Sequence, residues 1–283
     1  MKRMLHLAFR NARIKLMAPF RRKEMAQSAA RDQELFKEVK TFVFFIGYPR
    51  SGHSLVGSLL NAHPDVVIAH ELDAFRLLEE GASRNELFSK ILKRDRKFAM
   101  GGQEWAGYGY SVPGGFQGKF EHLYVIGDKK GGRTTRRIAD DPGLLDRVRT
   151  TVGVPLRIIH IVRNPFDNIT TISRKHEYTQ EKAIDFYFQL AEAARKVRQA
   201  SKPGEYLEMH FEDFVQNKDE SLRRLFEFLG VSSTPEFRAQ CASIVFESPK
   251  KSRSQGNWTD EAKRTVLDRA REFDFLARYT FEN

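Results

Sequence analysis

Cys241 is the chain's only cysteine, so no disulfide can form within it. That favours a reducing compartment. Nothing beside Cys241 in sequence resembles an activated thiol, and a packed core residue is the expectation. Apolar runs are short, and none reaches the roughly 18 residues that a spanning helix needs. A secretory leader is poorly supported, because Arg10, Arg13 and Lys15 interrupt what would be its apolar part. Cytoplasm is the resulting expectation. The chain also lacks the paired His/Cys spacing that holds zinc, any internal repeat, and any linker that would divide it.

What is present fits a single α/β domain. Its 283 residues are 41% hydrophobic and 30% charged, enough apolar side chain for a sizeable core. Lys and Arg outnumber Asp and Glu by 48 to 37, a net charge of +11 that attracts anions. Nucleic acid and an anionic nucleotide cofactor both satisfy that balance, as does a solvated basic surface. In residues 1–40, Leu5, Phe9, Ala12, Leu16 and Phe20 recur at helical spacing among Lys2, Arg3, Arg10, Arg13 and Arg21. This basic amphipathic segment suits either an anionic membrane surface, through residues 1–23, or packing on the protein body or a second subunit.

Phe42-Val43-Phe44-Phe45-Ile46 runs into Gly47-Tyr48-Pro49-Arg50-Ser51-Gly52-His53-Ser54 and then an amphipathic stretch from Leu55. This reads as strand, loop and helix, which gathers backbone N–H groups and a helix dipole around one point. The spacing fits GxxxxGK[ST] except that His53 stands in the lysine place, with Arg50 as a cation three residues earlier. The ligand is therefore expected to be anionic but not an ATP–Mg²⁺ triphosphate.

Further strands are expected at Val66–Ala69, Leu123–Ile126, Leu156–Val162 and Tyr206–Phe211. Helices are expected at Leu72–Glu80, Asn85–Lys97 (a surface helix), Glu181–Arg198, Ser221–Leu229 and over most of Thr259–Tyr279. Alternating strands and helices predict a parallel sheet, whose ligands bind at the carboxyl ends of the strands. Three strand ends carry polar clusters: Arg50-Ser51, Asp128-Lys129 and Arg163-Asn164. Gly101 to Gly118 is glycine-rich, with Trp105, Tyr108, Tyr110 and Phe116 between the glycines. No regular element is expected there; the aromatics either line a pocket or cap the core.

The P-R-S-G-x-S core, followed by Ala62-His63-Pro64-Asp65-Val66, resembles the sulfotransferases that use 3′-phosphoadenosine 5′-phosphosulfate (PAPS). Their usual form is P-[RK]-S-G-T-[TS], from which His53 departs. Arg163-Asn164-Pro165, with Thr171 eight positions after the arginine, is similar to the segment by which that family holds the 3′-phosphate. A guanidinium fork and a helix hydroxyl suit a phosphate; the alternative for Arg163 is a buried ion pair with Asp167. Gly127-Asp128-Lys129, Phe211-Glu212-Asp213-Phe214 and Leu225 to Gly230 add to the likeness. In Lys251 to Trp258, only Lys251, Gly256 and Trp258 fall on the family's R-K-G-x-x-G-x-W positions.

The likeness covers about residues 41 to 260. It implies a P-loop-like sulfotransferase fold, a central parallel sheet flanked by helices, as one domain over 41–283 beyond the segment 1–40. It implies PAPS as cofactor, with 3′-phosphoadenosine 5′-phosphate (PAP) as product. Arg50, Ser51, Gly52, His53, Ser54, Arg163, Thr171, Lys251 and Arg253 are the implied cofactor-binding residues. No metal is expected, because fixed cations and N–H groups can stabilise the leaving phosphate.

Glu71 stands 21 residues beyond Arg50, where the members that sulfate protein tyrosines have a catalytic glutamate. Partial burial would raise its pKa towards neutrality, as general-base work requires; the alternative is an acid at a helix N-terminus. Cytosolic members use a histidine two positions after the G-D-K lysine, but Gly131 stands there. His70 is the fallback base, projecting opposite to Glu71 if the strand continues. Lys129 and Arg50 are expected to stabilise the bridging oxygen, with Lys130 as the alternative to Lys129.

Two other classes remain open. One is a P-loop kinase or NTPase with an altered loop, Asp128 then holding a metal. The other is a non-enzymatic anion-, RNA- or membrane-binding module, although no RNA-binding aromatic signature is present. The implied acceptor is a hydroxyl or amine on a small molecule, carbohydrate or protein, with no nucleic-acid partner. The reading allows a homo-oligomer.

Overall fold

A computed structural model describes residues 27–283. The amphipathic stretch read over Leu5 to Lys23, and any membrane contact by it, lies outside the described residues. Among those described, no helix is long and apolar enough to cross a membrane.

Five strands form one parallel sheet: β1 (Thr41–Gly47), β2 (Val66–His70), β5 (Val125–Lys129), β6 (Leu156–Val162) and β7 (Tyr206–His210), in the order β2-β5-β1-β6-β7. Helices α1 (His53–Leu60), α2 (Ala74–Glu79) and α3 (Arg84–Met100) precede a two-stranded hairpin, β3 (Glu104–Trp105) and β4 (Tyr108–Gly109). After β5 come α4 (Gly131–Asp140) and α5 (Leu144–Val152); after β6 come α6 (Pro165–His176) and α7 (Gln180–Ala200). The rest is helical: α8 (Phe211–Gln216), α9 (Lys218–Leu229), α10 (Pro235–Ala242) and α11 (Asp260–Ala270).

β1 reads as an unbroken apolar run because both of its faces are covered. Phe42, Phe44 and Ile46 join one core with Phe88 and Ile91 of α3, while Val43 and Phe45 join the other with Leu55, Val56 and Leu59 of α1. A third core, around Tyr48, Phe166 and Tyr187, packs α6, α7 and α11 behind the end of β1. Cys241 is buried, and burial pushes its thiol up to about 12, so it is a core residue.

Several expectations are corrected. The stretch Gly101 to Gly118 does contain a regular element, because Ala106 (φ 53°) and Gly107 (φ 80°) form a tight turn with both central residues left-handed. α3 is a surface helix on one face only: Arg96, Lys97 and Met100 are exposed, while Leu87, Phe88, Ile91, Leu92 and Asp95 are buried against the sheet. The last helix stops at Ala270 rather than continuing to Tyr279. α2 begins only at Ala74, because Glu71 (φ 59°) and Asp73 (φ 68°) are left-handed.

Parallel pairing aligns the carboxyl ends of the strands, with His70 beside Lys129, Gly47 beside Ile161 and Val162 beside His210. All three polar clusters therefore lie along one edge.

Candidate active site

The loop between β1 and α1 bends through three left-handed residues, Gly47 (φ 119°), Arg50 (φ 69°) and Gly52 (φ 97°). A Cβ on Gly52 would sit 2.3 Å from the Phe211 ring, so only glycine fits. Neighbours tie the loop down. Gly47 N–H donates to Thr135 Oγ1 at 2.8 Å, and Asn168 Nδ2 donates to both Pro49 O and Ser51 Oγ at 2.8 Å. Tyr48 stacks on Tyr187 at 4.4 Å. Gly52, at the N-cap of α1, offers no side-chain cap, which leaves first-turn N–H groups facing the edge as anion donors.

His53 does not face that edge. Its Nε2–H donates to the Ile46 carbonyl at 2.8 Å, and burial drives its pKa down to about 4, so the ring is neutral and staples the loop to β1. The cation near the loop comes from β5. Lys129, 2% exposed, donates to Ser54 Oγ at 2.9 Å and to Glu71 Oε1 at 2.7 Å. Its stem runs past Gly57, where a Cβ would lie 3.0 Å from Lys129 Cγ.

Lys130 pairs with the other Glu71 oxygen. Burial alone would raise the Glu71 pKa, but the two ammonium groups outweigh it and hold the carboxylate at about 2. The expected upward shift is thus reversed. The opposed placement of His70 and Glu71 is also corrected. The strand ends at His70, and the left-handed Glu71 turns its carboxylate to the same cluster, where His70 Nε2 lies 3.3 Å from Ser54 Oγ. His70 is held near pKa 3, mainly by burial and then by Lys129.

A second cationic group lies at the end of β6. Arg163 Nη1 donates to the Arg50 carbonyl at 3.1 Å, and its Nη2 donates to Lys250 O. Arg163 Nη2 and Arg253 Nη1 lie 3.9 Å and 3.8 Å from the same Asp167 oxygen. Both pairs are loose, and Arg163 Nε and Arg253 Nη1 have no hydrogen-bond partner although they are buried. Buried unpartnered guanidinium donors fit a phosphate. Thr171 Oγ1, one turn along α6, donates to the Asp167 carbonyl at 2.9 Å. Lys251 lies apart, its ammonium donating to Glu282 O at 3.0 Å. Trp258 pins the 251–258 loop to α6 by donating to Thr170 Oγ1 at 3.1 Å.

The glycine-rich segment covers the first group. Phe98 stacks on His70 at 4.1 Å, Trp105 meets its edge at 5.0 Å, and Arg50 lies over Tyr108 at 5.9 Å. Tyr110 faces both Ser54 and Arg50. Asn168 escaped the sequence reading, although its place one turn before Thr171 puts both on one face of α6. Asp128 is buried and accepts from the N–H groups of Leu72 and Ala74, on the face of β5 opposite to Lys129. Among the described residues, no group of three or more His, Cys, Asp or Glu side chains could hold a metal ion.

Residues 156–235, which carry Arg163 and Thr171, match the model of the sulfotransferase family. Among solved structures, the sulfotransferase domain from the curacin biosynthetic pathway is similar in fold at 15% identity and TM-score 0.50, with 83% of this chain and 99% of that one covered. The sulfotransferase domain of the Synechococcus olefin synthase gives 19% identity, TM-score 0.47 and coverages of 70% and 76%. A Mycobacterium avium sulfotransferase gives 12%, 0.48, 90% and 86%. No curated protein matches the sequence. The five-stranded parallel sheet with flanking helices is the sulfotransferase fold. The segment that matches the family model spans β6 to the start of α10 within this fold.

Proposed function

We propose that this enzyme moves a sulfuryl group from PAPS to a hydroxyl or amine acceptor, with Glu71 as general base and Lys129 and Arg50 as charge stabilisers. The observation that carries the reading is the pair of cationic groups joined through one contact. Lys129 and Ser54 stand at the loop, Arg163 and Arg253 stand at β6, and the Arg163–Arg50 bond links them. Such a pair suits a ligand with anionic groups at both ends.

PAPS, when bound, supplies the sulfuryl group and a good phosphate leaving group. The chain's own residues do the rest. Loop N–H groups, Ser51 and Ser54 would hold the 5′ end; Arg163, Thr171 and Arg253 would hold the 3′-phosphate. Lys129, fixed by burial, is placed to stabilise charge on the leaving oxygen.

The two lysines explain how Glu71 can act as a base despite its low pKa. Burial is the largest single influence on the carboxylate, and it acts upward. Any lysine that turns from Glu71 towards an incoming anion therefore strengthens the base. Proton abstraction is thereby tied to donor occupancy. The aromatic cover of Trp105, Tyr108 and Tyr110 would receive the acceptor; its identity is left at a hydroxyl or amine on a small molecule, carbohydrate or protein.

The test is a thermal shift in EDTA with PAP, followed by an acceptor screen with PAPS. Stabilisation by PAP without magnesium is expected. Stabilisation by ATP only with magnesium would replace this reading with the kinase one.

A further inference from the structure

We infer that Asp128 is a positioning residue that sets Glu71 in the site, a role that rests on the reading of Glu71 as the base. β2 ends at His70, paired with Lys129, and Glu71 N–H makes one last sheet-like bond to Lys129 O at 3.1 Å. The chain then leaves the sheet and reverses into α2 through two left-handed residues, Glu71 (φ 59°) and Asp73 (φ 68°). Neither is glycine, so this backbone is unfavourable unless its surroundings hold it.

Asp128 supplies that hold. Its Oδ1 accepts from Leu72 N–H at 3.0 Å and its Oδ2 from Ala74 N–H at 2.8 Å. The side chain is 2% exposed, and neither N–H is bonded elsewhere in the helix or sheet. Asp128 and Lys129 are neighbours on one strand, so their side chains point to opposite faces. Asp128 thus grips the turn from one face, while Lys129 receives the Glu71 carboxylate on the other. Asp73 is itself pinned by Arg137, with both contacts at 3.2 Å. A carboxylate can accept from two amides at once. An asparagine has one acceptor and would turn an NH₂ donor onto the second amide.

The experiment compares Asp128→Asn, Glu71→Gln and the double variant in the full chain. Asp128→Asn should lower turnover about 10–100-fold while changing PAP affinity by less than about twofold. In the Glu71→Gln background it should lower turnover no further, because both changes remove one function. Amide exchange at Leu72 and Ala74 should quicken more than about tenfold. If Asp128→Asn does not fold, Asp128→Ser takes its place.

Equal losses in both backgrounds, or a matching loss of PAP affinity, would show a merely structural carboxylate and overturn the inference. So would wild-type turnover with unchanged exchange. Wild-type turnover in Glu71→Gln alone would instead remove the base, so the two failures are read from different variants.

Discussion

The Arg163 guanidinium donates to the backbone carbonyl of Arg50 at 3.1 Å, across 113 residues of sequence. One side chain thus serves the end of β6 and also fixes the loop after β1. A further guanidinium, Arg253, approaches from the 251–258 loop and shares Asp167 with it. Binding at either end of the proposed ligand therefore senses the same residue.

Arg163→Ala should weaken PAP binding by about 1.5–3 kcal/mol, the scale of a charge-assisted hydrogen bond. Isothermal calorimetry reads this directly. Unchanged affinity would move the 3′-phosphate elsewhere.

Glu71→Gln should lower turnover by roughly 10²–10⁴-fold, as loss of a general base does, with PAP affinity hardly changed or improved. Improvement is expected because Lys129 and Lys130 lose a competing carboxylate. Steady-state kinetics beside calorimetry separates the two effects.

Gly52→Ala should both destabilise the fold, by about 1–3 kcal/mol, and abolish tight PAP binding. Its φ of 97° disfavours any Cβ, and the new methyl would meet the Phe211 ring at 2.3 Å. Denaturant melts and calorimetry on one preparation check both halves. A variant with wild-type stability would show that the loop shifts freely.

Stability should fall as the solution is acidified from about pH 6.5. His53, His70 and His160 are held at about 4, 3 and 3, chiefly by burial, so the unfolded chain binds their protons first. Their contribution is complete above the ordinary value of 6.5 and is lost as pH drops towards their folded values. Asp95 and Asp128, raised by burial to about 6, act oppositely: they favour the fold at low pH and lose that contribution as pH rises through 6. Thermal melts between pH 4 and 7 should show a shallow acid decline in the wild type. Asp95→Asn, which removes one opposing group, should show a steeper one.

Much of the sheet is legible in the sequence. Leu156–Val162 is one strand with the expected ends, and β1 is marked by its apolar run, because central parallel strands are apolar on both faces. Turn-governed features are less legible. The hairpin turn and the late start of α2 depend on left-handed Ala106, Glu71 and Asp73, none of them glycine, and local propensity does not predict those. In α3, charged residues on the exposed face mask a buried stripe of Leu87, Phe88 and Ile91.

The chain's own order of residues determined the α/β class, the loop at Arg50 to Ser54 and the cation at Arg163, since each is a local pattern of periodicity, glycine and charge. Only the tertiary structure decided the electrostatics. It turned His53 inward to Ile46, placed two lysines on Glu71 and assigned Asp128 to the turn after β2. The reason is physical: a pKa or an ion pair depends on burial and on partners distant in sequence, and parallel strands bring those partners together only when the sheet forms.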